Sequence, residues 1–179
     1  MNRPDNDTPP QDLARLAVEG FIGEGALVDP PADPRGVLAG RAGTFVTLRT
    51  LDGKLRGCIG TTEPLKPNVA EEIIQNAISA ATRDPRFPPV SASELPDLTY
   101  GVDVLSPPEP VSGPEDLDPL VYGVMIETLE GWRRGLLLPR IDGINSVEEQ
   151  WLAVHSKAGI EIGQPVRVRR FTVTRFGKD

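Results

Sequence analysis

Cysteine is nearly absent. Cys58 is the only one in 179 residues. A lone thiol excludes an internal disulfide framework and any zinc site built on two or more cysteines. Histidine is equally scarce, so any Ser-His-Asp chemistry would have to run through His155. No run of about 18 apolar residues exists, which argues against a membrane-spanning helix. No apolar leader is visible near Met1 either. Together with the single thiol, this points to a reducing cytoplasm. Positive charge is in deficit, with 19 Lys and Arg against 26 Asp and Glu and a formal net charge of −7. Phosphate neutralisation needs the opposite balance, so a nucleic-acid binder is not expected. The phosphate-binding loop, the dinucleotide fingerprint, HExxH and GxSxG are all missing. No metal-ligand spacing is present, and the sequence names no cofactor.

What is present suffices for a folded core. The chain is 39% hydrophobic. At this length a protein buries roughly 70% of its unfolded surface, so no disulfide or metal staple is needed. One domain is expected, or two small lobes sharing a core. The 18 glycines and 19 prolines predict many turns and irregular connections.

Residues 1–10 are polar and carry Pro4, Pro9 and Pro10. They read as a disordered tail, with the folded domain spanning 11–179. Leu13, Leu16, Ala17, Val18 and Phe21 fall on one side of a helix over 11–24. The run Gly43 to Thr50 predicts a strand. Asp52-Gly53 predicts a hairpin turn, and Leu55 to Gly60 (LRGCIG) the returning strand. Asn68 predicts the cap of the next helix, with Glu71 where the reciprocal carboxylate belongs. Val69, Ile73, Ala77 and Ala80 form its apolar stripe, and Asp84-Pro85 ends it. Arg86 to Pro89 reads as a loop. Alternation at Leu98, Tyr100, Val102 and Val104 predicts a half-buried strand, followed by a Pro-rich connection over 106–119. A hairpin over 122–138 follows. Ser146 and Glu149 predict a capped helix carrying Trp151, Leu152, His155 and Ala158, closed by Gly159. Residues 166–176 predict one long strand. Helices and hairpins mix without a βαβ rhythm, so the class is α+β with antiparallel sheet.

Cys58 admits two readings. One is a thiolate in a tight, glycine-flanked strand, helped by Arg56 two residues away on the same face. The other is a small buried apolar residue. His155 is either a base or ligand, or a helix-surface histidine favoured by the helix dipole. Asp84, Arg86 and Phe87 lie on a proline-stiffened loop that suits function. Alternatively, Arg86 binds helix-end carbonyls while Phe87 fills the core. Arg167, Arg169, Arg170 and Arg175, with Phe171, suit either a stacking platform for nucleic acid or a solvated strand face. Glu71, Glu72, Glu148 and Glu149 read as helix-start charges.

LRGCIGT, from Leu55 to Thr61, resembles the hallmark of the AMMECR-one domain family. The likeness continues through Asn76 to Val90, Val102 to Pro110, Gly135 to Arg140 and Lys157 to Gly159, in order along nearly the whole chain. The resemblance implies a central antiparallel sheet with flanking helices, in two unequal lobes with a cleft near LRGCIG. It also implies a place in the AmmeMemoRadiSam set, beside a Memo-like protein and a radical SAM protein. Two departures stand out. Arg140 replaces a usual glutamine, with Gly143 and Ile144 where an acidic neighbourhood is usual. His155 stands where a cysteine is common.

Two functions compete on this reading. The first is a Cys58-dependent enzyme or covalent carrier, with Arg56 stabilising a thiolate or an anionic group. Amides around Gly57 and Gly60 would hold an oxyanion, with His155 as a partner for the thiol. Thr61, Asn76, Arg86 and Phe87 would line the cleft. The second is a non-catalytic adaptor that binds a protein segment, a small molecule or a Memo-like partner in the same cleft.

Overall fold

The computed structural model describes residues 3–177, which divide into two compact units. The first comprises residues up to Val104 together with those from Thr174 onward. The second is Leu105–Val173. Helix content and antiparallel pairing follow the expected α+β class, but the sheet is divided in two. The sheets are four-stranded, with orders β2-β1-β3-β8 and β4-β7-β5-β6.

In the first unit, α1 (Pro10–Glu24) buries Leu13, Ala14, Ala17 and Val18 and ends at Gly25 in the left-handed region. Strands β1 (Thr44–Thr50) and β2 (Leu55–Gly60) form the expected hairpin. Gly53 takes φ +85° at its turn, a conformation glycine adopts without strain. Helix α2 (Val69–Thr82) starts where the cap predicts it. Asn68 Oδ1 accepts the Glu71 amide at 2.9 Å, and its Nδ2 donates to the Glu71 carboxylate instead of closing a backbone capping box. The stripe Val69, Ile73, Ala77 and Ala80 is fully or nearly fully buried in the core shared with Val46, Leu48, Val102 and α1. A six-residue 3₁₀ helix, Ala92–Asp97, adds an element that hydrophobic periodicity does not announce. Strand β3 (Leu98–Leu105) pairs with β1 in unbroken antiparallel register.

Of the ten residues read as a tail, Met1 and Asn2 lie outside the described residues. Residues 3–9 are tied down. Asn6 accepts the Asp33 amide on its side chain and the Arg35 amide on its carbonyl, both at 3.0 Å. Pro4 is buried, and Pro10 is already the first residue of α1.

In the second unit, β4 (Glu109–Val111), β5 (Gly123–Thr128), β6 (Arg134–Leu137) and β7 (Val166–Phe171) form the sheet. Strand β4 lies inside the segment read as a bare connection. Helix α3 (Val147–Ala158) carries the full Ser146–Glu149 capping box and the left-handed Gly159 stop. Its Val154 packs with Val124, Ile126, Leu137 and Val168. A Cβ at Gly135 would meet Ala158 Cβ and Val154 O at 2.8 Å, so β6 accepts α3 only because position 135 has no side chain.

The single long strand expected over 166–176 is instead two, β7 and β8 (Val173–Gly177), in different sheets. The chain leaves one ladder for the other at Thr172. There Thr172 O accepts the Ser106 amide and its N–H donates to Ser106 Oγ, both at 2.9 Å. Alternation of residue types predicts extended backbone but not which sheet each half joins.

Candidate functional site

Strand β2 lies at the edge of its sheet, with β1 as its one neighbour. Thr47 stands opposite Cys58, and Thr47 Oγ1 donates to Cys58 Sγ at 3.2 Å. The Cys58 amide points the other way and donates to Asp84 Oδ2 at 2.8 Å. The Cys58 carbonyl accepts from Arg86 Nη2 at 3.4 Å. Asp84 is 4% exposed and takes three bonds from Arg86: the backbone amide at 3.1 Å, Nε at 2.9 Å and Nη2 at 2.6 Å. The Arg86 side chain holds the Asp84 carboxyl well below the usual carboxylate range. Burial opposes this, and the Cys58 amide reinforces it. The strand edge and the end of α2 are thus joined through one buried carboxylate.

Arg56 was the cation expected to serve Cys58, and its guanidinium is occupied elsewhere. Nε and Nη2 bind the two oxygens of Glu94 at 2.7 and 3.2 Å, and Nη1 donates to the Pro88 carbonyl at 3.0 Å. The bidentate pairing pulls Glu94 down to about 2, helped by the Ser91 amide. The cation that reaches Cys58 is Arg86, whose own pKa is raised first by its bonds to Asp84. The reading of Arg86 as a binder of helix-end carbonyls gives way to this Asp84 pairing. Phe87 is half-buried, with the guanidinium carbons of Arg86 and Arg56 at 5.5 and 5.8 Å from its ring centroid.

The two glycines of the motif owe their identity to close approach. A Cβ at Gly57 would lie 2.3 Å from the Ala80 carbonyl oxygen, and one at Gly60 would lie 2.3 Å from the Phe45 ring. Because the Cys58 amide faces away from β1, antiparallel alternation turns the Gly60 amide to that outer edge and the Gly57 amide toward β1.

Thr61 and Asn76, expected to line the cleft, are brought together with each other. Asn76 is 3% exposed. Its Nδ2 lies 2.9 Å from Thr44 Oγ1, 3.1 Å from Thr44 O and 3.2 Å from Thr61 Oγ1. Thr61 Oγ1 donates to Glu72 Oε1 at 2.6 Å. Glu72 Oε2 accepts the Leu65 and Lys66 amides at 2.8 and 2.7 Å. Glu72 is therefore no solvated helix-start charge. It is buried and anchors the segment that follows β2. The available signal was its spacing: Glu72 and Asn76, four apart, interrupt the apolar face of α2.

His155 belongs to the second unit and is 2% exposed, not on the helix surface. Its Nδ1 lies 2.9 Å from Trp151 O. A carbonyl only accepts, so Nδ1 carries a proton, and the buried Nε2 has no hydrogen-bond partner among the described residues. The Trp151 and His155 ring centroids are 4.4 Å apart. Arg140, the other departure from the family pattern, adopts φ +57° and joins the chain at Pro119 and Leu120 through its amide and Nε. Among the described residues, no three His, Cys, Asp or Glu side chains group closely enough to hold a metal ion. No described helix is long and apolar enough to cross a membrane.

Comparison with known proteins extends along the same span. A Thermotoga maritima protein is 53% identical over 161 residues, covering 89% of this chain and 91% of its own. A Thermococcus gammatolerans protein is 39% identical, covering 93% of this chain and 87% of its own. The crystal structure of an uncharacterised Pyrococcus horikoshii protein matches with a TM-score of 0.86 at 32% identity, over 97% of this chain and 94% of that one. The AMMECR1 family model matches residues 11–177, from the first turn of α1 to the end of β8, and the chain belongs to that family.

Proposed function

We propose that the outer edge of β2 is the working site of the protein, with Cys58 as nucleophile or covalent attachment point. The observation that carries this reading is the clamp on Cys58. Asp84 holds its amide and Arg86 its carbonyl, while the sulfur of half-buried Cys58 receives the Thr47 hydroxyl. Such a frame positions a thiol without consuming it. The Arg86 side chain is 53% exposed and offers a cation at the Cys58 carbonyl for an anionic substrate group. The Gly60 amide on the same edge adds a neutral donor. Arg56 and Phe87 stiffen the loop that carries Arg86. Asn76 and Thr61 fix the end of β2. His155 enters this reading only as a residue to be tested. A Memo-like and a radical SAM partner are carried with the proposal on the strength of the family resemblance.

One observation favours the adaptor reading. The carboxylate nearest the thiol in the bonding pattern, Asp84, is engaged by Arg86 and is not free to act as a base. On that reading the same edge binds a protein segment without covalent chemistry.

Alkylation of Cys58, followed by intact mass, separates the two. Wild type should react faster with iodoacetate, relative to iodoacetamide, than the same chain in denaturant does. Arg86→Ala should remove that preference by roughly tenfold, the scale of one close charge contact. Thr47→Val should slow both reagents. A Cys58 that shows no preference and reacts like the denatured thiol would leave the adaptor as the function.

A further inference from the structure

Trp132 sits at the tip of the β5–β6 hairpin and is 88% exposed. Leu129, on the other side of the turn, is 47% exposed. The tip is not a loose loop. The Gly131 amide donates to Thr128 O at 2.9 Å and the Thr128 amide to Arg133 O at 3.0 Å. Gly131 supplies φ +78°. Two arginines brace the turn from outside. Arg133 Nη1 donates to Gly159 O at 2.6 Å, and Arg167 Nη2 to Leu129 O at 2.7 Å. A large apolar side chain is therefore presented to solvent on a braced turn, with no part in either core.

The surface beside it is cationic. Residues paired across antiparallel strands share a face. Arg134, Glu127 and Arg167 form one row on it, with Arg169 in the next. Glu127 lies 3.9 and 3.7 Å from Arg167 and Arg169, so one carboxylate is shared between two guanidiniums. Arg134 is exposed and makes no ion pair among the described residues. Three arginines (Arg134, Arg167 and Arg169) thus share this face with one glutamate, Glu127, in a chain of net charge −7.

We propose that this tip and row dock an acidic segment of a partner protein, with an apolar side chain of the partner seated on Trp132 and Leu129. Tryptophan and arginine are the residues that anchor protein interfaces. A braced hairpin loses little conformational freedom on binding. The cationic row selects carboxylates, and the acidic remainder of the chain repels nucleic acid and anionic bilayers at long range. The docking surface belongs wholly to the second unit, and the Cys58 site to the first.

The test is selection of a displayed random dodecapeptide library on the full chain, repeated on Trp132→Ala and on Arg134→Glu. Peptides rich in Asp and Glu with isolated Leu, Ile or Phe should be enriched on wild type. Their binding should weaken with added salt and fall by roughly tenfold in each variant. Circular dichroism should show both variants folded, since the substituted side chains are exposed. Recovery of no peptide, of peptides without an acidic bias, or of peptides that bind the variants equally would overturn the proposal. So would Trp132-dependent binding to phosphatidylserine vesicles with no peptide selected, which would make the tip a membrane contact.

Discussion

The first unit buries carboxyl side chains where, among the described residues, the second buries none. Glu72, Asp84 and Asp103 are 1–7% exposed and belong to the first unit. Thr128, Gln150 and His155 are the corresponding groups of the second. A buried carboxylate must be bonded on nearly every side, because leaving it unpaired costs several kcal/mol. Glu72 and Asp84 meet that demand with backbone amides, a hydroxyl and a guanidinium drawn from neighbouring segments. Both therefore act as pins for the chain around LRGCIG. The side chains of Gln150 and His155 make one bond each and leave Oε1 and Nε2 without partners among the described residues. An unpartnered amide oxygen costs less than an unpartnered carboxylate. The difference teaches where precision is invested: in holding Cys58 in one unit, and in holding a surface hairpin in the other.

The strongest way to break this contrast is to remove a pin. Asp84→Ala strips the Cys58 amide and Arg86 of their acceptor. It should lower stability by about 3 kcal/mol in urea unfolding. Cys58 alkylation should lose its dependence on Arg86. A loss below about 0.5 kcal/mol would place Asp84 among ordinary surface carboxylates.

Overpacking comes next. Ala77 is fully buried between α2 and the sheet. Ala77→Leu should cost about 1–3 kcal/mol, read as a lower denaturation midpoint.

The segment before α1 gives a smaller effect. Deleting residues 1–9 removes the two Asn6 bonds to residues 33 and 35 and should cost about 1 kcal/mol. An unchanged melting temperature would restore the reading of a dispensable tail.

Acid sharpens the comparison without a mutation. Asp84 and Glu94 have folded pKa values depressed below their ordinary 3.8 and 4.5, Glu94 to about 2. Groups lowered on folding contribute stability above their unfolded values, and it is lost as pH falls through the folded ones. The first unit should therefore weaken from about pH 4.5 toward pH 2. In the second unit Glu149 is also lowered, by the Asn145 and Ser146 amides, but it is solvent-exposed and its effect should be small. Both tryptophans, Trp132 and Trp151, lie in the second unit. Tryptophan emission should thus persist to lower pH than the hydrogen-exchange protection of the Cys58 amide, which Asp84 holds. Simultaneous loss of both signals would show that the units do not respond separately.

The smallest effect is expected at the exposed tip and at the lone histidine. Trp132→Ala should change stability by less than about 0.5 kcal/mol. His155→Ala opens a cavity in the second unit, yet should leave the alkylation rate of Cys58 unchanged if Thr47 and Arg86 alone set its surroundings. A slower reaction would bring His155 into the site.

The sequence by itself determined the elements whose signals lie within a few residues of one another. Asn68 and Ser146 start their helices, Asp52-Gly53 turns the hairpin, and alternation from Leu98 marks β3. In each case a local hydrogen bond or a local conformational preference suffices. The motif around Cys58 was equally legible as a place of close approach, because glycine weakens a strand and persists inside one where a neighbouring group leaves no room for a side chain. Only the tertiary structure decided which cation attends Cys58, that Glu72 is an anchor, that His155 is buried, and that residues 166–176 serve two sheets. Those outcomes depend on partners far along the chain: Glu94 claims Arg56 across 38 residues, Asp84 reaches Cys58 across 26, and Ser106 meets Thr172 across 66. A charged side chain pairs with whichever opposite charge or free amide the fold brings within about 3 Å, and no local spacing encodes that choice.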